Sequence, residues 1–235
     1  MLKSAVIATP PLARKGDYSI DPEENARMLK HLLKGRSITL LYGGAAGTLH
    51  LSLREYQALF EFLADQVEEE ARIIPAAGPT FGQLMAHAHI LKPFAFETAM
   101  VLPLCAETTP AGMETGLRRF AEAFGRPIMV QLTRDARIAP ISLSRLHRDG
   151  LLAGVVYDFP ADQPKSDAFL TQLLETVDPA LVLTGRGAGK AVSDMHEHGL
   201  AGFVSGTACL APRLSRKVLS ALEEDDLELA CRLSN

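Results

Sequence analysis

Short apolar segments alternate with longer segments of helical periodicity along the whole chain. The apolar segments are rich in Val, Ile and Leu, a pattern typical of parallel strands that are buried on both faces. Eight of them are predicted as strands, at residues 4–9, 37–42, 72–77, 98–102, 127–131, 154–157, 180–183 and 201–205. A helical segment follows each strand, so the pattern predicts eight successive β/α units.

Capping patterns support the predicted helix starts. Asp21 precedes Pro22, and two glutamates follow, which is the order expected of an N-cap, a first helical residue and an acidic first turn. Ser52 and Glu55 stand three residues apart before the next helical segment and predict a capping box.

Eight β/α units in sequence close most naturally into a (β/α)₈ barrel, the TIM-barrel fold. The alternative is a doubly wound open sheet, which would carry a glycine-rich nucleotide-binding turn after the first strand. Residues 8–11 read Ala-Thr-Pro-Pro, which does not resemble that turn. No linker or low-complexity stretch interrupts the series, so we expect one barrel domain over residues 1–235.

The composition argues against nucleic-acid-binding and membrane proteins but does not indicate an activity. The net charge is −4, with no clustered basic face of the kind that binds nucleic acid. No apolar segment approaches the ~20 residues of a membrane-spanning helix, so neither nucleic acid nor membrane is an expected partner. The three cysteines are widely spaced and odd in number, which favours a reducing cytoplasm.

In such barrels the chemistry lies at the carboxyl ends of the strands and in the βα loops. Motif-like segments occur near these positions at Thr9-Pro10 and at residues 16–21, 42–48, 51–55, 101–104 and 202–206, with Pro212 after them. In their order along the chain, these segments resemble the dihydrodipicolinate synthase / N-acetylneuraminate lyase family of pyruvate-dependent barrels.

The resemblance implies Schiff-base chemistry, in which a lysine ending strand six attacks the ketone of pyruvate. That lysine position falls on Val156 if Gly154 is aligned, or on Tyr157 if Asp158 is aligned. Neither side chain can form an imine, and none of the eight lysines lies in the second half of a predicted strand.

The other family positions also carry different residues. The proton-shuttling tyrosine of strand five falls on Gln131, and the two carboxylate-binding threonines fall on Gly44 and Ala45, or on Ala45 and Ala46. Family members continue with further helices after the eighth unit, whereas this sequence stops at Asn235. We therefore expect a truncated C-terminal helical region, which leaves a dimer or a tetramer open as the homo-oligomer.

A glycine-rich segment at residues 184–190 follows the seventh strand, where barrels often bind phosphate. It is interpreted either as a turn without ligand or as an anion site formed by Gly187, Gly189 and Lys190, with Arg186 a further candidate. The pairs at residues 87/89 and 196/198 are histidines two apart in predicted helices, where they point in different directions and cannot share a metal ion.

These observations favour a family-like protein without Schiff-base aldolase activity, one that binds a small carboxylate or 2-oxo acid at the barrel mouth. The alternatives are a lyase or hydrolase that polarises an oxo acid without an imine, and an aldolase with a displaced lysine. No cofactor or metal is expected. The candidate substrate-binding residues are Gly44, Ala45, Ala46, Gln131, Arg134, Arg137, Tyr157 and Ser205.

Overall fold

Eight parallel strands form a closed barrel in the order of the chain. The computed structural model describes residues 5–35, 39–66, 71–102, 108–134, 138–159 and 167–234. Each strand pairs in parallel with its sequence neighbours, and β8 closes the barrel on β1. The strands are β1 (Ala5–Ala8), β2 (Thr39–Tyr42), β3 (Arg72–Ala77), β4 (Met100–Val101), β5 (Ile128–Leu132), β6 (Leu152–Tyr157), β7 (Val182–Thr184) and β8 (Gly202–Ser205).

A helix follows each strand, and a short additional helix ends the chain. The helices are α1 (Pro22–Lys34), α2 (Leu53–Gln66), α3 (Phe81–Leu91), α4 (Pro110–Phe124), α5 (Pro140–Arg148), α6 (Ala168–Leu174), α7 (Ala188–His198), α8 (Pro212–Glu223) and α9 (Leu227–Ser234). The predicted (β/α)₈ barrel with a short C-terminal helical region is therefore confirmed. In the described residues, no helix combines the length and the apolarity needed to span a bilayer.

The predicted caps are present. Asp21 accepts hydrogen bonds from the backbone N–H groups of Glu23 and Glu24, both at 3.1 Å. Glu55 accepts from the N–H of Ser52 at 2.9 Å, and the Ser52 hydroxyl accepts from the N–H of Glu55 at 3.3 Å. Each pair satisfies donors that would otherwise be unpaired at a helix start.

The seventh and sixth strands differ from their predicted bounds. Residues 179–181 form a 3₁₀ turn because Asp178 accepts a hydrogen bond from the N–H of Ala180 at 2.9 Å, so β7 begins at Val182. On β6 the register shifts, since Ile128 pairs with Leu152 and Met129 with Gly154. β6 begins at Leu152, two residues before its predicted start.

The barrel wall separates two apolar layers. Alternate strand residues fill the interior, which contains Ile7, Leu41, Ile74, Ala76, Met100, Leu102, Met129, Val156, Leu183 and Val204. The intervening residues face the surrounding helices and belong to a larger cluster. Because a strand alternates faces residue by residue, this division determines which side chains can reach the mouth.

Candidate functional site

Gln131 and Asp158 form a polar pair at the carboxyl ends of β5 and β6. Met129 and Val156 belong to the barrel interior, so Gln131 and Asp158, each two residues further on, point to the same side. The Gln131 side-chain amide donates to a carboxylate oxygen of Asp158 at 2.8 Å. The pair therefore lies just above the apolar interior, where the mouth begins.

Burial raises the pKa of Asp158, while the hydrogen bond from Gln131 acts in the opposite direction. The Asp158 side chain also packs against Gly185, the residue after β7, because a Cβ on Gly185 would lie only 2.7 Å from the Asp158 Cβ. Gly185 thus leaves the space that Asp158 occupies. A carboxyl group held in this way can accept or donate a hydrogen bond to a small polar ligand.

Val156 and Tyr157 face opposite sides of β6. Val156 lies in the barrel interior, and its side chain is almost wholly buried. Tyr157 faces the helices, where its ring stacks on Phe159 at 4.6 Å and its hydroxyl donates to Asp167. The inward-facing position of β6 next to the mouth is therefore Val156, and the structure places Tyr157 behind the strand.

Arg186 belongs to a buried network beside Tyr157. Its guanidinium donates to both carboxylate oxygens of Asp194, at 3.0 and 2.6 Å, and lies 3.6 Å from Asp167. The Thr184 hydroxyl donates to Asp194 at 2.6 Å, and the guanidinium lies 5.3 Å from the centre of the Tyr157 ring. Two carboxylates hold this arginine, so it is not poised to bind an external anion.

The other residues of the glycine-rich segment lie at the start of α7. Gly187 occupies the N-cap position with φ of 80°, a conformation that favours glycine, and no side chain caps the helix. Gly189 and Lys190 are exposed in the first turn. An anion site at these three residues remains a prediction.

The loop after β2 contains a buried hydroxyl group. Gly44 and Ala45 are exposed and Ala46 is buried, while the N–H groups of Gly47 and Thr48 close the turn on carbonyls within the loop, at 2.9 and 3.2 Å. The Thr48 hydroxyl is buried and has no hydrogen-bond partner among the described residues. Such a group is costly unless something satisfies it.

Two further predicted residues, Ser205 and Arg134, lie around the mouth or behind it. Ser205 follows the helix-facing Phe203 by two positions, and its hydroxyl lies 2.8 Å from that of Thr207. Arg134 is exposed just after β5. Arg137 lies outside the described residues.

The histidine pair of α3 points in two directions, as predicted. His87 is buried and accepts a hydrogen bond from the N–H of Gly78 at 3.3 Å, while His89 is exposed. Within the described ranges no group of three His, Cys, Asp or Glu residues could hold a metal ion.

Asp158 and Thr48 are the residues that sequence reasoning missed. In the sequence, Asp158 was used only to align the family lysine with Tyr157. Because Asp158 follows Val156 by two residues, its side chain is expected on the same side as Val156, which could have predicted its place at the mouth. Thr48 lies two residues beyond the positions matched to the family threonines. No sequence signal indicated that its hydroxyl would be buried.

The protein is a parallel (β/α)₈ barrel with a polar pair of side chains at the carboxyl ends of β5 and β6. Comparison with solved structures assigns the fold more closely. Dihydrodipicolinate synthase from Oceanobacillus iheyensis superposes with a TM-score of 0.85 at 19% identity, over 99% of this chain and 77% of that one. The Bacillus clausii synthase gives 0.85 at 20% identity, over 99% and 78%. YagE, an Escherichia coli prophage protein of the dihydrodipicolinic acid synthase family solved with pyruvate, gives 0.85 at 17% identity, over 98% and 78%.

The fold is therefore that of the dihydrodipicolinate synthase barrels. No protein-family model matches the sequence, and no curated protein does. At these identities the likeness defines the fold alone.

Proposed function

We propose that this protein binds a small carboxylate or 2-oxo acid at the carboxyl-end mouth of the barrel without forming a lysine imine. The observation that carries the proposal is the inward-facing side of β6, which presents Val156 and then Asp158 hydrogen-bonded to Gln131. An imine requires an amine at this depth, and a valine supplies none.

The positions of the lysines support the same proposal. Every lysine within the described residues is exposed, namely Lys15, Lys30, Lys34, Lys92, Lys190 and Lys217. Schiff-base chemistry needs a desolvated amine inside the barrel, and a solvated lysine on the surface does not provide one. Lys3 and Lys165 lie outside the described residues, and the experiment below includes them.

Ligand contacts are proposed from groups around the mouth. Gln131, Asp158 and the Thr48 hydroxyl offer hydrogen bonds, and the exposed turn at Gly44 and Ala45 offers backbone N–H groups. Arg134 and Arg137 are proposed to attract the carboxylate. A 2-oxo acid suits this set because its carboxylate and its ketone both accept hydrogen bonds.

Two measurements on the same samples test the proposal. Thermal unfolding with pyruvate, 2-oxobutyrate and acetate should show a saturable, ligand-dependent rise in Tm for a 2-oxo acid. Intact-mass spectrometry after borohydride treatment should show no reduced adduct. A synthase that has the Schiff-base lysine is treated in parallel as the positive control. An adduct on any lysine, or no stabilisation by any of these acids, would overturn the proposal.

A second candidate function is a lyase or hydrolase that acts on a small oxo acid without an imine. The observation favouring it is the position of Asp158, a half-buried carboxyl group at the mouth that is held by Gln131. Burial raises the pKa of Asp158, which makes the group a better proton acceptor. Gln131 would hold the carboxyl group in place while the proton moves.

Replacing Asp158 by Asn separates this function from simple binding. The amide keeps an acceptor for Gln131 but cannot exchange a proton, so turnover should fall by on the order of 10²-fold or more while ligand-induced stabilisation persists. The exposed Asp65→Asn on α2 is the matched control. Turnover equal in both variants would exclude Asp158 as the acid–base group.

A further inference from the structure

An open cavity of about 570 Å³ lies between the end of α1 and the start of α8. Its floor is the tight contact between Gly35 and Pro212, where a Cβ on the glycine would lie 2.1 Å from the proline ring. The volume falls within the range typical of small-molecule sites. None of the described residues that line this cavity belongs to the mouth described above.

Among the described residues, four basic side chains line this cavity: His31 and Lys34 on α1, and Arg213 and Lys217 on α8. All four are exposed, and in the described part of the chain none of them forms an ion pair. The chain as a whole carries a net charge of −4. A concave, uncompensated basic cluster on an acidic protein is complementary to an anion.

The start of α8 adds to the positive potential. No side chain caps this helix, and its first turn contains no acidic residue. Arg213 therefore stands next to the positive end of the helix dipole, an arrangement that a bound anion would stabilise.

Two leucines give the cavity an apolar side. Leu210 is 82% exposed and Leu214 is 42% exposed, and both line the cavity together with the basic residues. Large apolar side chains exposed within a concave site are typical of ligand contact. A simple inorganic anion would leave them uncovered.

We propose that this cavity binds a small amphiphilic anion, with a phosphate or carboxylate head between the four basic side chains and an apolar portion over Leu210 and Leu214. The anion makes charge-assisted hydrogen bonds to Lys34, Arg213 and Lys217. The apolar portion loses contact with water as it covers the leucines.

Octyl phosphate, used below its micelle-forming concentration, is the probe. Isothermal titration should show one saturable site per chain, with affinity that falls as salt rises because the contacts are exposed ion pairs. Inorganic phosphate should bind more weakly because it lacks the apolar portion, and octyl glucoside more weakly because it lacks the charge. Equal binding of octyl glucoside and octyl phosphate would overturn the proposal, as would no binding of octyl phosphate.

Charge-matched variants identify the residues. Lys34→Gln with Lys217→Gln should weaken octyl phosphate binding by on the order of tenfold. Lys30→Gln with Arg216→Gln removes the same charge from exposed positions of the same two helices outside the cavity and should leave binding nearly unchanged. If both double variants lose the same affinity for octyl phosphate, the effect comes from net charge alone and the proposed site is rejected.

Two further variants separate the parts of the proposal. Leu210→Ser should weaken octyl phosphate binding and leave phosphate binding unchanged, and the opposite result would exclude the apolar contact. Asp158→Asn at the mouth should not alter octyl phosphate binding, so the cavity and the proposed 2-oxo acid site can succeed or fail independently.

Discussion

His87 illustrates how burial of a single residue sets its protonation state. Its ring stacks on Tyr56, with the ring centres 3.8 Å apart, and its Nδ1 atom accepts the N–H of Gly78. Burial lowers the pKa of His87 to about 4, so the ring is neutral at physiological pH. The residue therefore stabilises the turn after β3 through this hydrogen bond.

The pH dependence of stability should reveal this histidine. Its pKa falls from 6.5 in the unfolded chain to about 4 in the folded one, so the unfolded state binds the extra proton between these values. The free energy of unfolding should therefore drop as the pH falls below about 6.5, by up to roughly 3 kcal/mol at pH 4. Urea unfolding across this range measures the drop.

The variant His87→Phe keeps the stacked ring and removes the titrating group. It should be less stable at pH 7, because the Gly78 N–H loses its acceptor, and its stability should vary less with pH than that of the wild type. His89→Gln, at an exposed position of the same helix, is the control. A wild-type slope retained in His87→Phe would contradict the assignment.

At the residue scale, sequence reasoning succeeded where geometry is local. The opposite directions of His87 and His89 follow from helix geometry alone. The pairing of Gln131 with Asp158 could not be predicted in the same way, since the two residues are 27 positions apart and meet only when β5 pairs with β6. The buried hydroxyl of Thr48 likewise depends on tertiary packing.

Among the elements, the β7–α7 connection shows how a glycine can serve a neighbouring side chain. Gly185 lies against Asp158, and its N–H donates to the carbonyl of Tyr157 at 2.7 Å. The sequence presented Gly185 as part of a possible anion-binding turn. In the structure its small size makes room for the carboxyl group at the mouth.

Alanine substitutions at Gly185 in this connection and at Gly189 in the first turn of α7 should have different effects. Gly185→Ala brings a methyl group against Asp158 and should destabilise the protein by about 1–3 kcal/mol, while displacing the carboxyl group from Gln131. Gly189→Ala meets no atom within 4 Å, lies in α7 and should be neutral or stabilising by up to about 1 kcal/mol.

Thermal unfolding of both variants measures whether each is more or less stable than the wild type. The NMR resonance of the Asp158 side chain shows whether its carboxyl group has moved away from Gln131. Equal stability of the two variants would show that Asp158 can move away at no cost. The role assigned to Gly185 would then fail.

The elements themselves were largely predictable, because caps and apolar periodicity are local signals. The capped starts of α1 and α2 are present, and β3 has its predicted bounds. The register shift between Ile128 and Met129 was not foreseen, since it depends on how β5 and β6 pair. β7 starts later than predicted because Asp178 caps a 3₁₀ turn at the residues before it.

At the scale of the whole barrel, closure decides which residues face the interior. The segment Val155-Val156-Tyr157 is apolar throughout, because both faces of the wall are buried, so alternation of polarity could not orient it. Two alignments of the family lysine, on Val156 and on Tyr157, were therefore equally consistent with the sequence. In the closed barrel Val156 joins the interior cluster and Tyr157 the helix-facing one.

Lysines placed at each of these positions should behave differently for that reason. In Val156→Lys the amine enters the barrel beneath Gln131 and Asp158, where burial lowers its pKa and makes it a better nucleophile. In Tyr157→Lys the amine points toward Asp167 and Arg186, away from the mouth. With pyruvate and borohydride, a reduced adduct is expected for the first variant and not for the second.

Intact-mass spectrometry measures the adduct, after circular dichroism has established that both variants unfold cooperatively. The wild type is the control for reaction at the surface lysines, which both variants share. An adduct in folded Tyr157→Lys and none in folded Val156→Lys would mean that β6 presents its other face to the barrel. The proposed pairing of Gln131 with Asp158 at the mouth would then fail as well, because the same alternation places both residues there.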